Sequence, residues 1–207
     1  LKQAFHTLKQ TLSNSKQYKF LLKFILIHFM ILDVVNTVIA FMSIYANKVM
    51  HFTDAQITTF LITSTSAAMS VSYIIGLLVK HKGTAWSYWL VLWLWVAALS
   101  IAILSQSQTM FWVVGPLAGM GMGGVWVVSR AYIVELSPPE KLGEFFGLYG
   151  LAGKAASIFG PLLWGSVVWV FKETQTFKYR AALTALLLIT IVTLFLFRSL
   201  QKQMQQN

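Results

Sequence analysis

Cysteine is absent from the chain, which excludes disulfides, thiol catalysis and cysteine-ligated metal while leaving the compartment open. Charge is scarce as well: 11% of residues are Asp, Glu, Lys or Arg, against roughly a quarter in an ordinary soluble domain. Acidic residues are the rarest of these, 6 against 16 Lys and Arg. Between Gly83 and Ser129 there is no charged side chain. About 20 apolar residues make one bilayer crossing, so two helices must lie there, parted by Ser105, Gln106, Ser107, Gln108 and Thr109. No helix pairs histidine and glutamate at metal-ligand spacing, and no serine and histidine form a plausible dyad, so an intramembrane enzyme is disfavoured and neither metal nor cofactor is expected.

What is present is apolar: 57% of residues are hydrophobic. Six stretches long enough to span a bilayer are predicted at about residues 20–46, 55–79, 84–104, 110–136, 139–171 and 179–197. The fold class read from this is an all-α membrane bundle of six transmembrane helices over residues 20–198, with a connecting segment at 1–19 and a tail at 199–207. The first residue is Leu1 and no signal-peptide core precedes Phe20, so the chain is expected to continue a longer protein upstream. The formal net charge of +10 lies in short loops and tails with no basic stripe interleaved with aromatics, which argues against nucleic acid and for a topogenic role. Counting Lys2, Lys9, Lys16, Lys19, Lys80, Lys82, Lys141, Arg198 and Lys202 on one side puts both termini in the cytoplasm.

Charge inside a hydrocarbon layer needs a partner, a wet cavity or a function. Asp33, Arg130, Glu135 and Lys154 are the ionisable residues that raise the question. Asp33 lies 13 residues beyond Phe20, roughly 20 Å along a helix, with Asn36, Thr37 and Ala40 on its face. Lys154 is ten residues beyond Glu144, at a comparable depth, so Asp33 and Lys154 are a candidate ion pair, either structural or a proton-driven switch. Arg130 can snorkel, bind phosphate head groups, pair with Glu144 or clamp a substrate carboxylate. Glu135, five positions on and about 140° round the helix, is a poor intrahelical partner and is expected near the interface.

Small residues mark packing faces. Gly115, Gly119 and Gly123 recur every four residues and lead to Trp126 and Arg130. Gly147, Gly150, Gly153, Ser157 and Gly160 repeat the idea before Pro161, which removes a backbone donor and is expected to kink or open its helix. Thr59, Thr63, Ser66, Ser70 and Tyr73 draw one hydroxyl stripe down the second helix, facing protein or water. Helices three, with Trp86, Trp89, Trp93 and Trp95, and six are apolar all round and suited to lipid. Lys80, His81, Lys82 and Gly83 are expected to form a basic turn. Thr53 or Asp54 is expected to cap the second helix, and Ser137, Pro138, Pro139 and Glu140 to open the fifth as a capping box.

Six spans with polar helices one, four and five and a basic turn after helix two resemble half of a major facilitator superfamily transporter. A narrower likeness rests on Gly123, Gly124, Ser129, Arg130, Ser137, Pro138, Pro139, Glu144, Phe145, Phe146, Gly147, Leu148, Tyr149, Gly153, Lys154, Gly160 and Pro161. That series is similar to the signature of the vacuole-effluxer, autophagy-related family and its bacterial relatives, and Asp33, Asn36 and Thr37 match the polar opening of that family's seventh helix. The resemblance implies the C-terminal half of a twelve-span secondary transporter in a lipid bilayer, built from two inverted three-helix repeats. It further implies a six-helix N-terminal half as partner, a small-molecule substrate such as an amino acid, possible coupling to protons, and for a bacterial member the inner membrane. Helices one and four would line the cavity, two and five the seam between halves, three and six the lipid. Lys80 and His81 stand where the superfamily's loop motif has an Asp and an Arg between Gly76 and Gly83, which takes the gating charges from this loop. The competing expectation is a non-transporting assembly or receptor protein with structural ion pairs.

Overall fold

A computed structural model describes residues 18–206, all helix and short connections. Among the described residues six helices are long and apolar enough to cross a membrane: α1 Lys19–Met50, α2 Asp54–Lys82, α3 Thr84–Leu104, α4 Gln108–Leu136, α5 Pro139–Val170 and α6 Phe177–Gln205. Lys2, Lys9 and Lys16 lie outside the described residues.

The connections are tight because single residues make the turns. His51 takes a left-handed conformation (φ 55°) and ends α1. Thr53 then opens α2 with a reciprocal capping box to Gln56, satisfying two otherwise orphan backbone donors. The expected basic turn after α2 is not formed. Lys80, His81 and Lys82 complete the helix, where cations suit the negative end of its dipole, and Gly83 alone (φ 84°) turns the chain into α3. A Cβ is strained at that angle, which is why glycine is needed there.

Nor does Ser137 cap α5. It ends α4, its N–H bonding the Ile133 carbonyl at 3.0 Å, while its buried hydroxyl has no partner. A 3-10 turn, Pro139–Lys141, leads into α5. The span α4 is broken at Val113 into Gln108–Trp112 and Val114–Leu136. Pro116 supplies the reason, since it has no N–H to offer the Trp112 carbonyl.

Two glycine seams set the packing, as expected where lipid gives helices no hydrophobic reason to associate. On α4, Gly115 abuts the Phe60 ring, Gly119 the Ser64 carbonyl and Gly123 the Ala68 carbonyl of α2, with no room for a Cβ at any of them. On α5, Gly153 meets Leu32, and Gly160 meets Thr37 and Asp33, all on α1. Exchanging α1–α3 for α4–α6 maps the α2–α4 pair onto α5–α1 and the α3–α4 pair onto α6–α1.

Helices α3 and α6 are not uniformly outward. Tyr88 and Trp95 of α3 and Phe197 of α6 are buried, and Trp95 packs over Gly121. Only stripes such as Trp86, Trp93, Leu188 and Phe195 remain exposed. A pattern apolar on every face cannot reveal which face is covered. Phe24, Tyr88, Tyr132 and Phe197 join α1, α3, α4 and α6 in an aromatic cluster, with Phe24 stacked on Tyr132 at 4.4 Å.

Candidate functional site: the seam between α1 and α5

The α5 face laid on α1 reads Phe145, Tyr149, Gly153, Ala156, Gly160 and Trp164, at helical spacings of 4, 4, 3, 4 and 4. Phe145 meets Tyr18 edge-on, and Tyr149 stacks on His28 at 4.3 Å and 9°. Trp164 stacks on Phe41 at 5.1 Å and 9°. Between the stacks this face carries only Gly153, Ala156 and Gly160, and there the backbones come together, while Phe159 at its edge meets Phe29 edge-on at 5.8 Å.

Asp33 sits in this interval with 5% of its surface exposed, and its Oδ1 has no hydrogen-bond partner. A Cβ on Gly160 would fall on Thr37 Oγ1, 2.7 Å from the Asp33 carbonyl oxygen and 3.1 Å from Oδ1. The glycine before Pro161 is thus required by the close approach of α5 to the acidic turn of α1. Thr37 donates its hydroxyl to the Asp33 carbonyl at 2.6 Å, so it is engaged by its own helix. Asn36 is half-buried and Ala40 exposed, so the polar patch expected around Asp33 divides between the seam and the surface.

Lys154 is not brought to Asp33. Its side chain is exposed and the two are not within salt-bridge distance. The sequence places both at similar depth, but Lys154 follows Gly153 by one residue, about 100° round the helix, and so leaves the seam. It shares an uncovered face with Gly147, Gly150, Ser157 and the half-buried Pro161, and neither Gly147 nor Gly150 has any atom within 4 Å of its Cβ position. The glycine pattern of α5 is therefore two faces, one packed on α1 and one open. Arg130 is exposed as well.

The hydroxyl stripe of α2 is outward. Thr59, Thr63, Ser66, Ser70 and Tyr73 are exposed, while the α4-facing row is Phe60, Ser64, Ala68 and Ser72. At the end of the bundle where α2 turns into α3, Glu135 accepts the Thr84 hydroxyl, joining α4 to α3 beside exposed Lys80 and His81. Glu144 is half-buried in the first turn after the 3-10 segment. An apolar recess of about 260 Å³ opens between α1, α2, α3 and α4, lined by Val38, Met42, Phe60, Ser64, Trp95 and Trp126 among others.

The residue that sequence reasoning passed over is His28. Its ring is fully buried and neither nitrogen has a partner. Tyr149, stacked on it, also shares a 2.9 Å hydrogen bond with Ser129, whose hydroxyl lies 2.6 Å from the Val125 carbonyl. Tyr149 thereby ties α5 to both α1 and α4. The available signal was an ionisable ring in the same membrane span as Asp33.

The sequence model of the family described as vacuole effluxer Atg22 like matches residues 1–207. The MFS-type transporter YxiO of Bacillus subtilis is 29% identical over 160 residues, 77% of this chain and 37% of that protein. Autophagy-related protein 22 of Kluyveromyces lactis is 24% identical over 207 residues, covering 95% of this chain and 41% of that protein, and its counterpart from Yarrowia lipolytica is 33% identical over 84 residues, 41% of this chain and 14% of that one. The chain thus spans about two fifths of the length of the first two, 37% and 41%. Six spans in this packing are one half of a major facilitator fold. With the family match running over every residue, this chain belongs to the vacuole effluxer Atg22-like family of membrane proteins.

Proposed function

We propose that this chain is the C-terminal six-helix half of a secondary transporter that works by alternating access, coupled to protons and exporting amino acids or similar small metabolites. Asp33, Asn36 and Thr37 on α1, Arg130 on α4 and Lys154 on α5 form its substrate and ion pathway. The outward faces of α2 and α5 dock the N-terminal half. Residues 1–19 connect the two, both termini are cytoplasmic, and the membrane is the bacterial inner membrane.

One observation carries the reading. Lys154, fifteen residues into a 32-residue span, points out of the bundle from a strip of unpacked glycines. Hydrocarbon is a costly place for an ammonium group, and bare glycines in a membrane helix are the usual mark of close helix packing. A second bundle with a wet crevice between the halves accounts for both. The exposed hydroxyls of α2 fit the same seam, and the exchange symmetry of the helix pairs supports two inverted three-helix repeats. Arg130, one turn from Trp126 at the rim of the apolar recess, is suited to a carboxylate, which it can hold bidentately.

The test is thermal stability of the full-length protein against a panel of amino acids and small metabolites. A ligand at 100 times its Kd adds about 2.7 kcal/mol. A saturable shift that is lost in Arg130→Ala or Lys154→Ala supports the pathway assignment; no shift with any compound in the panel overturns the substrate class.

A further inference from the structure

We infer that two ring stacks on the α1–α5 seam, His28 on Tyr149 and Phe41 on Trp164, are the gates of a narrow path to Asp33, each closing it towards one side of the membrane. The inference rests on the transporter reading and adds to it the route by which the carboxyl is reached.

Four observations combine. Asp33 Oδ1 is buried without a hydrogen-bond partner, an oxygen that water or a cation reaching the seam would satisfy. The far side of α1 is apolar, since Val34 and Val35 are fully buried and Val38 lines the apolar recess. Along the seam the α5 face beside the carboxyl is Gly153, Ala156 and Gly160, side chains too small to fill the space if the helices part slightly, with the Phe29–Phe159 pair at its edge. Each end of that small-residue interval is shut by a face-to-face ring pair, both at 9°. His28 lies five residues before Asp33 and Phe41 eight after it, about 7.5 and 12 Å along the axis, so the stacks stand on opposite sides of the acid.

Rings are fit for this work because, once the helices part slightly, rotation about two side-chain torsions clears the path. The closed position of one gate is latched: the Tyr149 hydroxyl is bonded to Ser129 of α4. The Phe41–Trp164 gate has no such bond among the described residues, and Trp164 is held by burial alone, with 4% of its surface exposed. The two gates are thus built differently, as they must be if one opens while the other stays shut.

The absence of cysteine here makes a sided test direct. Asp33→Cys is placed in the full-length protein with any cysteine elsewhere changed to serine, and a membrane-impermeant methanethiosulfonate is applied to right-side-out and inside-out vesicles. Tyr149→Ala should raise the labelling rate at least tenfold from the side of the α1 N-terminus only, and Trp164→Ala from the opposite side only. His28→Phe, which keeps a stacked ring, should leave labelling at background, and Tyr149→Phe, which keeps the ring and removes the latch, should raise labelling from that same side by less than Tyr149→Ala does. If an alanine variant fails to reach the membrane, Tyr149→Val and Trp164→Val give the same reading. Opening from both sides, from neither, or equally with Tyr149→Phe overturns the gates. Labelling does not require transport, so that result leaves the transporter reading standing, and a failed ligand panel leaves the gates testable.

Discussion

Gly160 shows how much one missing methylene group can decide. A Cβ there collides with Thr37 Oγ1 and the Asp33 carbonyl, and overpacking of this kind costs about 1–3 kcal/mol. Gly160→Ala should therefore lower the Tm of the purified protein, and Thr37→Ala in the same molecule should restore part of the loss, because only the backbone contact then remains. Equal Tm values for Gly160→Ala and wild type would contradict the close approach. His28 points the other way. Both ring nitrogens are buried without partners, and each such group costs about 1–3 kcal/mol. His28→Phe should hold or raise Tm, and a fall of several degrees would mean that the imidazole has a partner in the folded state.

At the scale of helices, the six spans and their order were legible, because length and hydropathy are one-dimensional and the bilayer fixes both. Asp33 was legible too: a carboxylate in an apolar run stands out. Depth along an axis and the angle between two residues could be counted, but not which face meets a neighbour, and that is why the Asp33–Lys154 pair failed and why Gly153 and Gly150 were assigned to one face. Trp95 went astray for the same reason, its helix being apolar on every side. His28 was lost among aromatic neighbours. The α2–α4 seam now gives a prediction for an element. Gly119→Ala drives a Cβ into the Ser64 backbone, which cannot yield, whereas Gly143 has nothing within 4 Å. Gly119→Ala should cut the yield of folded protein and its Tm, and Gly143→Ala should do neither; similar losses from both would remove the seam as the organising contact.

For the whole molecule the question is what covers the open faces. Six helices make a coherent bundle, yet α2 and α5 are the least covered of them, and α5 carries Lys154 outward. Cysteines at Gly150 or Ser157 in the full-length protein should cross-link to the other six-helix half, and cysteines at Leu188 or Phe195 on α6 should not. Cross-linking from α6 alone would reverse the inside and outside of the bundle. In the proposed reading Asp33 sits beside a cleft between two halves, reached along α5, where a proton would be exchanged with one side at a time. The most direct test is uptake or efflux by the full-length protein in proteoliposomes under an imposed pH gradient, wild type against Asp33→Asn. The account predicts that gradient-driven flux is lost in Asp33→Asn while the protein still inserts and folds; flux that keeps its full pH dependence in that variant would contradict it.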